Sequence, residues 1–253
     1  YQPVSDTESN IVDNHIEVMK NKFEIEIKDE NKKLPLFYCI PKMHKDPIKF
    51  RFISGARNCS TKQLSIFLNN ALVCIRNELK RQCTKECEDS GFNYFFSINS
   101  TNEFLERLSS ISNTWSAKVY DFSTMYTCLE LLLVKQHMYQ LTDQMFSKYN
   151  RKFLHVKAGK RSGFFSHKQY AGYFTFNSSL FKESIDYILF NSYTKFAGQC
   201  YRQIKGLPMG GNSSPLLADL FLSMCEINYL RSLKESGQLE LLKCLSLTSR
   251  YID

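Results

Sequence analysis

A carboxylate at the end of an apolar segment limits what a chain can fold into, because burying it without a positive partner is costly. Asp121 is such a group, within Lys118-Val119-Tyr120-Asp121-Phe122-Ser123-Thr124-Met125-Tyr126. Up to Phe122 the β-branched and aromatic residues alternate as in a short buried strand. Small hydroxyl residues follow, then an apolar helical run. A divalent cation is one candidate partner, since hard ions such as Mg²⁺ take oxygen ligands. Helix capping is the other reading: Asp, Ser and Thr ahead of Leu129-Glu130-Leu131-Leu132 are ordinary N-cap chemistry. Asp121 alone leaves both open, and the choice falls to the segments at 206–215 and 251–253.

At 253 residues the chain is long enough for one large core or two modest lobes. Its 43% apolar and 23% charged content excludes a disordered chain. Thirty-three Lys and Arg against 25 Asp and Glu give +8, which permits a polyanionic partner without requiring one. The nine cysteines are odd in number and scattered through apolar patterns, as in reduced thiols of an intracellular protein. Cys83 and Cys87 lack a second pair at zinc-ligand spacing. No apolar run approaches the ~18 residues of a membrane span, so no membrane partner is expected. With no initiator Met and an ending in mid-pattern, the chain reads as an internal fragment of something longer.

Periodicity predicts a weak amphipathic helix over 9–23 and a charged linker over 24–33. Leu34 to Lys42 and Lys49 to Gly55 read as strands of a hairpin carrying Lys42, Lys45, Lys49 and Arg51. Its cations suit a phosphate clamp, with Arg51 as a fork and Lys42 as a point charge. They equally suit an edge hairpin protected by lysine. Helices are predicted over 61–81, over 101–111 with Phe104, Leu105 and Leu108 inside, and over 129–149. Residues 148–168 hold seven cations and no acid, with Tyr149, Phe153, Phe164 and Phe165 interleaved. Lys157, Lys160 and Arg161 flank or form a turn tip there. Rings among cations suit a nucleic-acid track, the alternative being a solvated basic loop. A strand over 169–176, a helix capped at 177–179 and a hairpin turning near Gly198 follow.

Gly206-Leu207-Pro208-Met209-Gly210-Gly211-Asn212-Ser213-Ser214-Pro215 is a glycine-rich loop opening a long amphipathic helix. Pro215 suits the first helical turn, and Gly210 and Gly211 let backbone approach a flat ligand closely. The loop lacks the GK[ST] ending of a Walker motif. The chain closes on Tyr251-Ile252-Asp253, a second carboxylate at a strand end. If the strands of Asp121 and Asp253 are neighbours, metal offsets the repulsion of their acids, and two Mg²⁺ about 3.5–4 Å apart suit phosphoryl transfer.

In order, Tyr38-Cys39-Ile40-Pro41-Lys42 with Phe50-Arg51-Phe52-Ile53, then Asp121 to Tyr126, then the glycine loop, then Tyr251-Ile252-Asp253, form a set that resembles a reverse transcriptase. More narrowly, residues 34–253 resemble the polymerases of Penelope-like retroelements, which are similar to the catalytic subunit of telomerase. The resemblance implies an α+β right-hand polymerase fold: an antiparallel palm sheet packed on helices, with the thumb absent. Residues 1–33 would be an N-terminal helix and linker, 34–116 the fingers, and 117–253 the palm with a basic insert at 148–168, truncated at the last motif.

Asp121 and Asp253 would be the catalytic metal carboxylates, with the Phe122 carbonyl on the nucleotide-bound metal. The cofactor implied is a pair of Mg²⁺ ions, with Mn²⁺ as a substitute. Thr124 and Met125 would offer backbone N–H groups to the triphosphate, and Lys42 and Arg51 would hold it. Tyr126 would stand under the incoming sugar, where a ring clashes with a 2′-hydroxyl. Met209 and Gly210 would lie against the nascent base pair. The partners implied are an RNA template, a DNA primer and a dNTP, in an intracellular, nuclear setting. The rival expectations are a catalytically inactive nucleic-acid-binding remnant of a retroelement and an RNA-dependent RNA polymerase.

Overall fold

The computed structural model describes residues 1–253 apart from 110–116, 123, 161 and 252–253, and apart from the side chain of Tyr149. In chain order the strands are β1 (Gln2–Pro3), β2 (Leu36–Lys42), β3 (Lys49–Gly55), β4 (Ser97–Ile98), β5 (Phe153–Val156), β6 (Gly163–Ser166), β7 (Phe174–Phe176), β8 (Tyr193–Phe196), β9 (Gln199–Arg202) and β10 (Arg250–Tyr251). The helices are α1 (Glu8–Phe23), α2 (Lys62–Ser90), α3 (Thr101–Ser109), α4 (Met125–Cys128), α5 (Leu131–Ser147), α6 (Ser178–Phe190), α7 (Ser214–Glu235) and α8 (Leu239–Leu245). Two compact units result, one of residues 1–75 and 125–218, the other of 76–124 and 219–253.

The first unit holds a five-stranded sheet in the order β1-β9-β8-β2-β3 and a three-stranded sheet β6-β5-β7. The predicted hairpins form: β2 pairs antiparallel with β3 along its length, and β8 with β9 around Gly198. β2 continues into the sheet only at Leu36, opposite Lys195 of β8. Most of the β2–β3 hairpin therefore projects, leaving Tyr38, Ile40, Phe50 and Phe52 about half exposed.

Local chemistry sets the helix ends. The Thr7 hydroxyl accepts from the Asn10 N–H at the start of α1, and the Asn177 side chain accepts from the Leu180 N–H at the start of α6. Each such cap stabilises by about 1 kcal/mol. Phe181, Ile185, Ile188 and Leu189 form the buried stripe of α6, and Leu180 beside them is half-buried. Phe181 meets Phe146 of α5 and Phe176 of β7 at 6.2 and 5.4 Å between ring centroids.

In the second unit β10 pairs in parallel with β4. A buried ion network holds β10 in place. Arg76 Nε donates to Asp219 Oδ2 at 2.6 Å, and Arg250 Nη1 donates to Asp219 Oδ1 at 2.9 Å. Arg250 also reaches Glu226 at 2.5 Å and Ser223 at 2.9 Å, and Arg76 reaches Ser97 of β4 at 2.8 Å. Two guanidinium groups facing two carboxylates, with hydrogen bonds on the remaining donors, make burial of these charges tolerable.

Three expectations are corrected. Residues 118–122 are irregular and exposed, not a buried strand, with Val119 at 95% and Tyr120 at 84% exposure. A strand needs a ladder partner for its N–H and C=O groups, and among the described residues none pairs with this segment. The expected antiparallel palm sheet joining it to the last strand is accordingly not formed among the described residues. The apolar residues of α3, expected inside, lie outside: Phe104, Leu105 and Leu108 are 42–53% exposed. The helix expected over 129–149 forms as α5, Leu131–Ser147, with the short α4 ahead of it.

His15 of α1 supplies a test of the first unit. It is 2% exposed, its Nδ1 lies 2.6 Å from Ser60 Oγ, and its Nε2 has no hydrogen-bond partner among the described residues. Burial lowers its pKa from 6.5 to about 4. Between those values the unfolded chain binds the proton more readily than the folded one. The stability that neutral His15 contributes is therefore complete above pH 6.5 and is lost as the pH falls towards 4. Urea midpoints measured between pH 7 and 4.5 should fall less steeply for His15→Leu than for the wild type. Parallel profiles would contradict this assignment.

Candidate active site

Of the expected nucleotide-binding residues of the first unit, Met209 and Gly210 lie in the glycine loop and Met125 and Tyr126 beside it, whereas Lys42 and Arg51 lie along the β2–β3 hairpin. The loop is seated by main-chain hydrogen bonds: the Ser54 N–H donates to the Met209 carbonyl at 2.8 Å, on the open edge of β3. The Leu207 N–H donates to the Tyr126 carbonyl at 2.7 Å, and the Gly206 N–H to the Leu129 carbonyl at 2.8 Å. Both contact points exclude a side chain. A Cβ on Gly206 would lie 2.4 Å from the Tyr126 oxygen, and one on Gly210 would lie 2.4 Å from the Ser54 oxygen. Both glycines also have positive φ, +77° and +108°, a region that other residues rarely adopt.

Beyond the loop, Ser213 and Ser65 of α2 share a buried contact, their Oγ atoms 3.1 Å apart, with the Ser213 N–H donating to Ser65 Oγ at 3.2 Å. The loop is thus fixed at both ends and in its middle.

Tyr126, Met209 and Gly210 are drawn together in this way. Met125 is the neighbour of Tyr126 in α4, and both are half-buried. Arg51 lies three residues before Ser54 on β3. Register places Lys42 opposite Lys49 and Ile40 opposite Arg51. Opposed residues share a face and alternate residues return to it, so Lys42, Lys49 and Arg51 form one basic face of the hairpin. Lys157 and Lys160 are exposed in the turn between β5 and β6.

In the second unit, Asp121 and Phe122 are exposed in the irregular segment, and Thr124 is exposed ahead of α4. Asp253 and Arg161 lie outside the described residues. Among the described residues no three His, Cys, Asp or Glu side chains cluster as a metal site. No helix among them is long and apolar enough to cross a membrane.

Sequence reasoning singled out Gly210 but not Gly206, whose approach to Tyr126 is equally close. It also missed the Arg76–Asp219–Arg250 network. The signal was present: Arg76 interrupts an apolar stripe, following Ile75 and four residues after Leu72. A charge at such a position requires a buried partner.

No protein-family model matches the chain, and no curated protein does. A solved structure does, that of telomerase from Candida albicans in complex with the TWJ fragment of telomeric RNA. The TM-score is 0.51 at 13% identity, over 81% of this chain. The fold is similar to that of a telomerase chain. The chain spans 36% of the telomerase chain it matches, and the telomerase likeness concerns the fold alone. It supports an α+β architecture of mixed sheets and helices.

The seating of the loop predicts unequal costs for glycine replacement. Gly172 has φ +79° with open space around its Cβ position, so Gly172→Ala should cost only the backbone term of about 1–2 kcal/mol. Gly206→Ala adds a clash with backbone that cannot move aside, and should lose at least about 1 kcal/mol more. Denaturant unfolding of the two variants checks this, and equal losses would contradict the seating described.

Proposed function

We propose that the chain is the catalytic core of an RNA-directed DNA polymerase of the Penelope-like retroelement kind. The observation that carries this reading is the glycine loop seated on Ser54 and Tyr126. It gathers in one region Tyr126, Met209 and Gly210, three residues that the motif resemblance assigns to the incoming nucleotide. The order of the motifs and the telomerase-like fold support it independently.

In this reading Lys42 and Arg51, on one hairpin face, hold the triphosphate, Arg51 as a planar fork and Lys42 as a mobile charge. Backbone N–H groups of Thr124 and Met125 add to that grip. The Tyr126 ring excludes a 2′-hydroxyl, and Met209 and Gly210 back the nascent pair.

Asp121 fits the role of a cation ligand in one respect: it is an exposed carboxylate with no ion pair or hydrogen bond among the described residues, which leaves its oxygens open to a hard ion. Asp121, Asp253 and the Phe122 carbonyl would hold Mg²⁺, or Mn²⁺ in its place. The ions would supply neutralisation of the charge on the attacking 3′-hydroxyl and on the departing pyrophosphate. The task of the protein is then placement of primer, template and dNTP.

The irregular, exposed segment around Asp121 favours one other reading, a nucleic-acid-binding remnant without catalysis. Primer extension on an RNA template separates the two. Asp121→Ala should reduce extension to background, and Tyr126→Ala should raise ribonucleotide incorporation on the order of tens of fold relative to deoxynucleotide. Extension unchanged by Asp121→Ala would sink the metal assignment, and a wild type that prefers ribonucleotides would sink the deoxynucleotide assignment.

A further inference from the structure

The three-stranded sheet β6-β5-β7 has two unlike faces. Register pairs Leu154 with Phe165 and Phe176, and Val156 with Phe174. That face is core, with Leu154, Val156 and Phe176 fully buried. The other face centres on His155, opposed by Phe164 and Thr175.

His155 is 0% exposed, yet both ring nitrogens have partners. Nδ1 lies 2.8 Å from Thr175 Oγ1, and Nε2 lies 2.9 Å from both Ser166 Oγ and the Lys168 carbonyl. Over this imidazole stand three rings, Phe164, Tyr170 and Tyr173, at 5.0, 5.3 and 6.0 Å between centroids. Tyr170 and Tyr173 each meet Phe164 edge to face, at 5.5 and 5.3 Å. Phe164, Tyr170 and Tyr173 remain 38%, 50% and 41% exposed. Single exposed rings are ordinary on a protein surface, whereas three in contact on a bonded base form a patch.

The segment that carries the patch has charges of one sign. No Asp or Glu occurs between Asp143 and Glu183. Lys157 holds its Nζ 5.9 Å from the Tyr173 ring centroid, and Lys160 and Lys168 are exposed nearby in sequence. Aromatic surface bordered by cations complements a polyanion that carries flat, unpaired rings.

We propose that this face binds single-stranded nucleic acid, with Phe164, Tyr170 and Tyr173 stacking on unpaired bases and Lys157, Lys160 and Lys168 following the phosphates. The platform goes beyond the polymerase reading, since it needs neither dNTP nor metal. Phe165, read from sequence as part of the same track, faces the core instead, with its ring 5.3 Å from Phe146. Tyr170 and Tyr173, outside the basic segment, take its place.

The test is fluorescence anisotropy of the full chain with a labelled 12-nucleotide single strand, without dNTP or Mg²⁺. Tyr170→Ala with Tyr173→Ala should weaken binding on the order of ten- to a hundred-fold and leave the salt slope unchanged. Tyr170→Phe with Tyr173→Phe should bind as the wild type does. On an abasic strand of the same length, the wild type and the alanine pair should bind equally. The proposal is overturned if the alanine pair binds the base-bearing strand like the wild type, or if the phenylalanine pair loses as much as the alanine pair. It is likewise overturned if the wild type holds the abasic strand as tightly as the base-bearing one. These results leave primer extension untouched, so the platform and the polymerase reading can fail separately.

Discussion

Backbone meeting backbone without room for a side chain is the constraint on which the candidate nucleotide site depends. At Gly210 the loop lies against the Ser54 carbonyl, and at Gly206 it lies against the Tyr126 carbonyl, each at a distance no Cβ could share. Hydrogen bonds from Ser54 and Leu207 close both contacts. On the open edge of β3 the loop also gives the Ser54 N–H its partner, the Met209 carbonyl. Seating Met209 and pairing this N–H of the sheet edge are thus one event.

Much of this was legible from residue pattern because the relevant signals are local. The β2–β3 and β8–β9 hairpins, α1, α6 and the helix opened by the glycine loop all follow from periodicity, turn residues and caps. The failures come where tertiary pairing decides. Lys118 to Phe122 has strand composition, but β-propensity describes fit to a partner surface, and among the described residues none is offered. The exposed apolar residues of α3 have the spacing of a buried face and lack one. Asp219 reads as one polar residue in an apolar helix. Only the fold reveals that it sits between Arg76 and Arg250 and thereby holds the strand preceding Asp253.

The basic stretch at 148–168 illustrates a third case. Its composition pointed to nucleic acid, and its fold supplies the geometry that composition could not. Strand alternation divides its rings, sending Phe165 inward and Phe164 outward to join Tyr170 and Tyr173 over His155. Cation density alone would give binding that depends on salt and ignores bases. In the proposed platform, the ring cluster adds contact with the bases themselves. Under the proposed function and the proposed platform, the basic hairpin face serves the phosphates, the glycine loop the sugar and base, and the ring cluster the unpaired bases.

The most direct measurement of the central claim is the dNTP concentration dependence of single-nucleotide incorporation by the wild type and by Gly210→Ala, on the same primer and RNA template. If the close approach to Ser54 builds the nucleotide surface, the KM for dNTP should rise on the order of ten-fold or more while primer–template affinity stays the same. An unchanged KM, or a wild type that incorporates no nucleotide at all, would contradict the account.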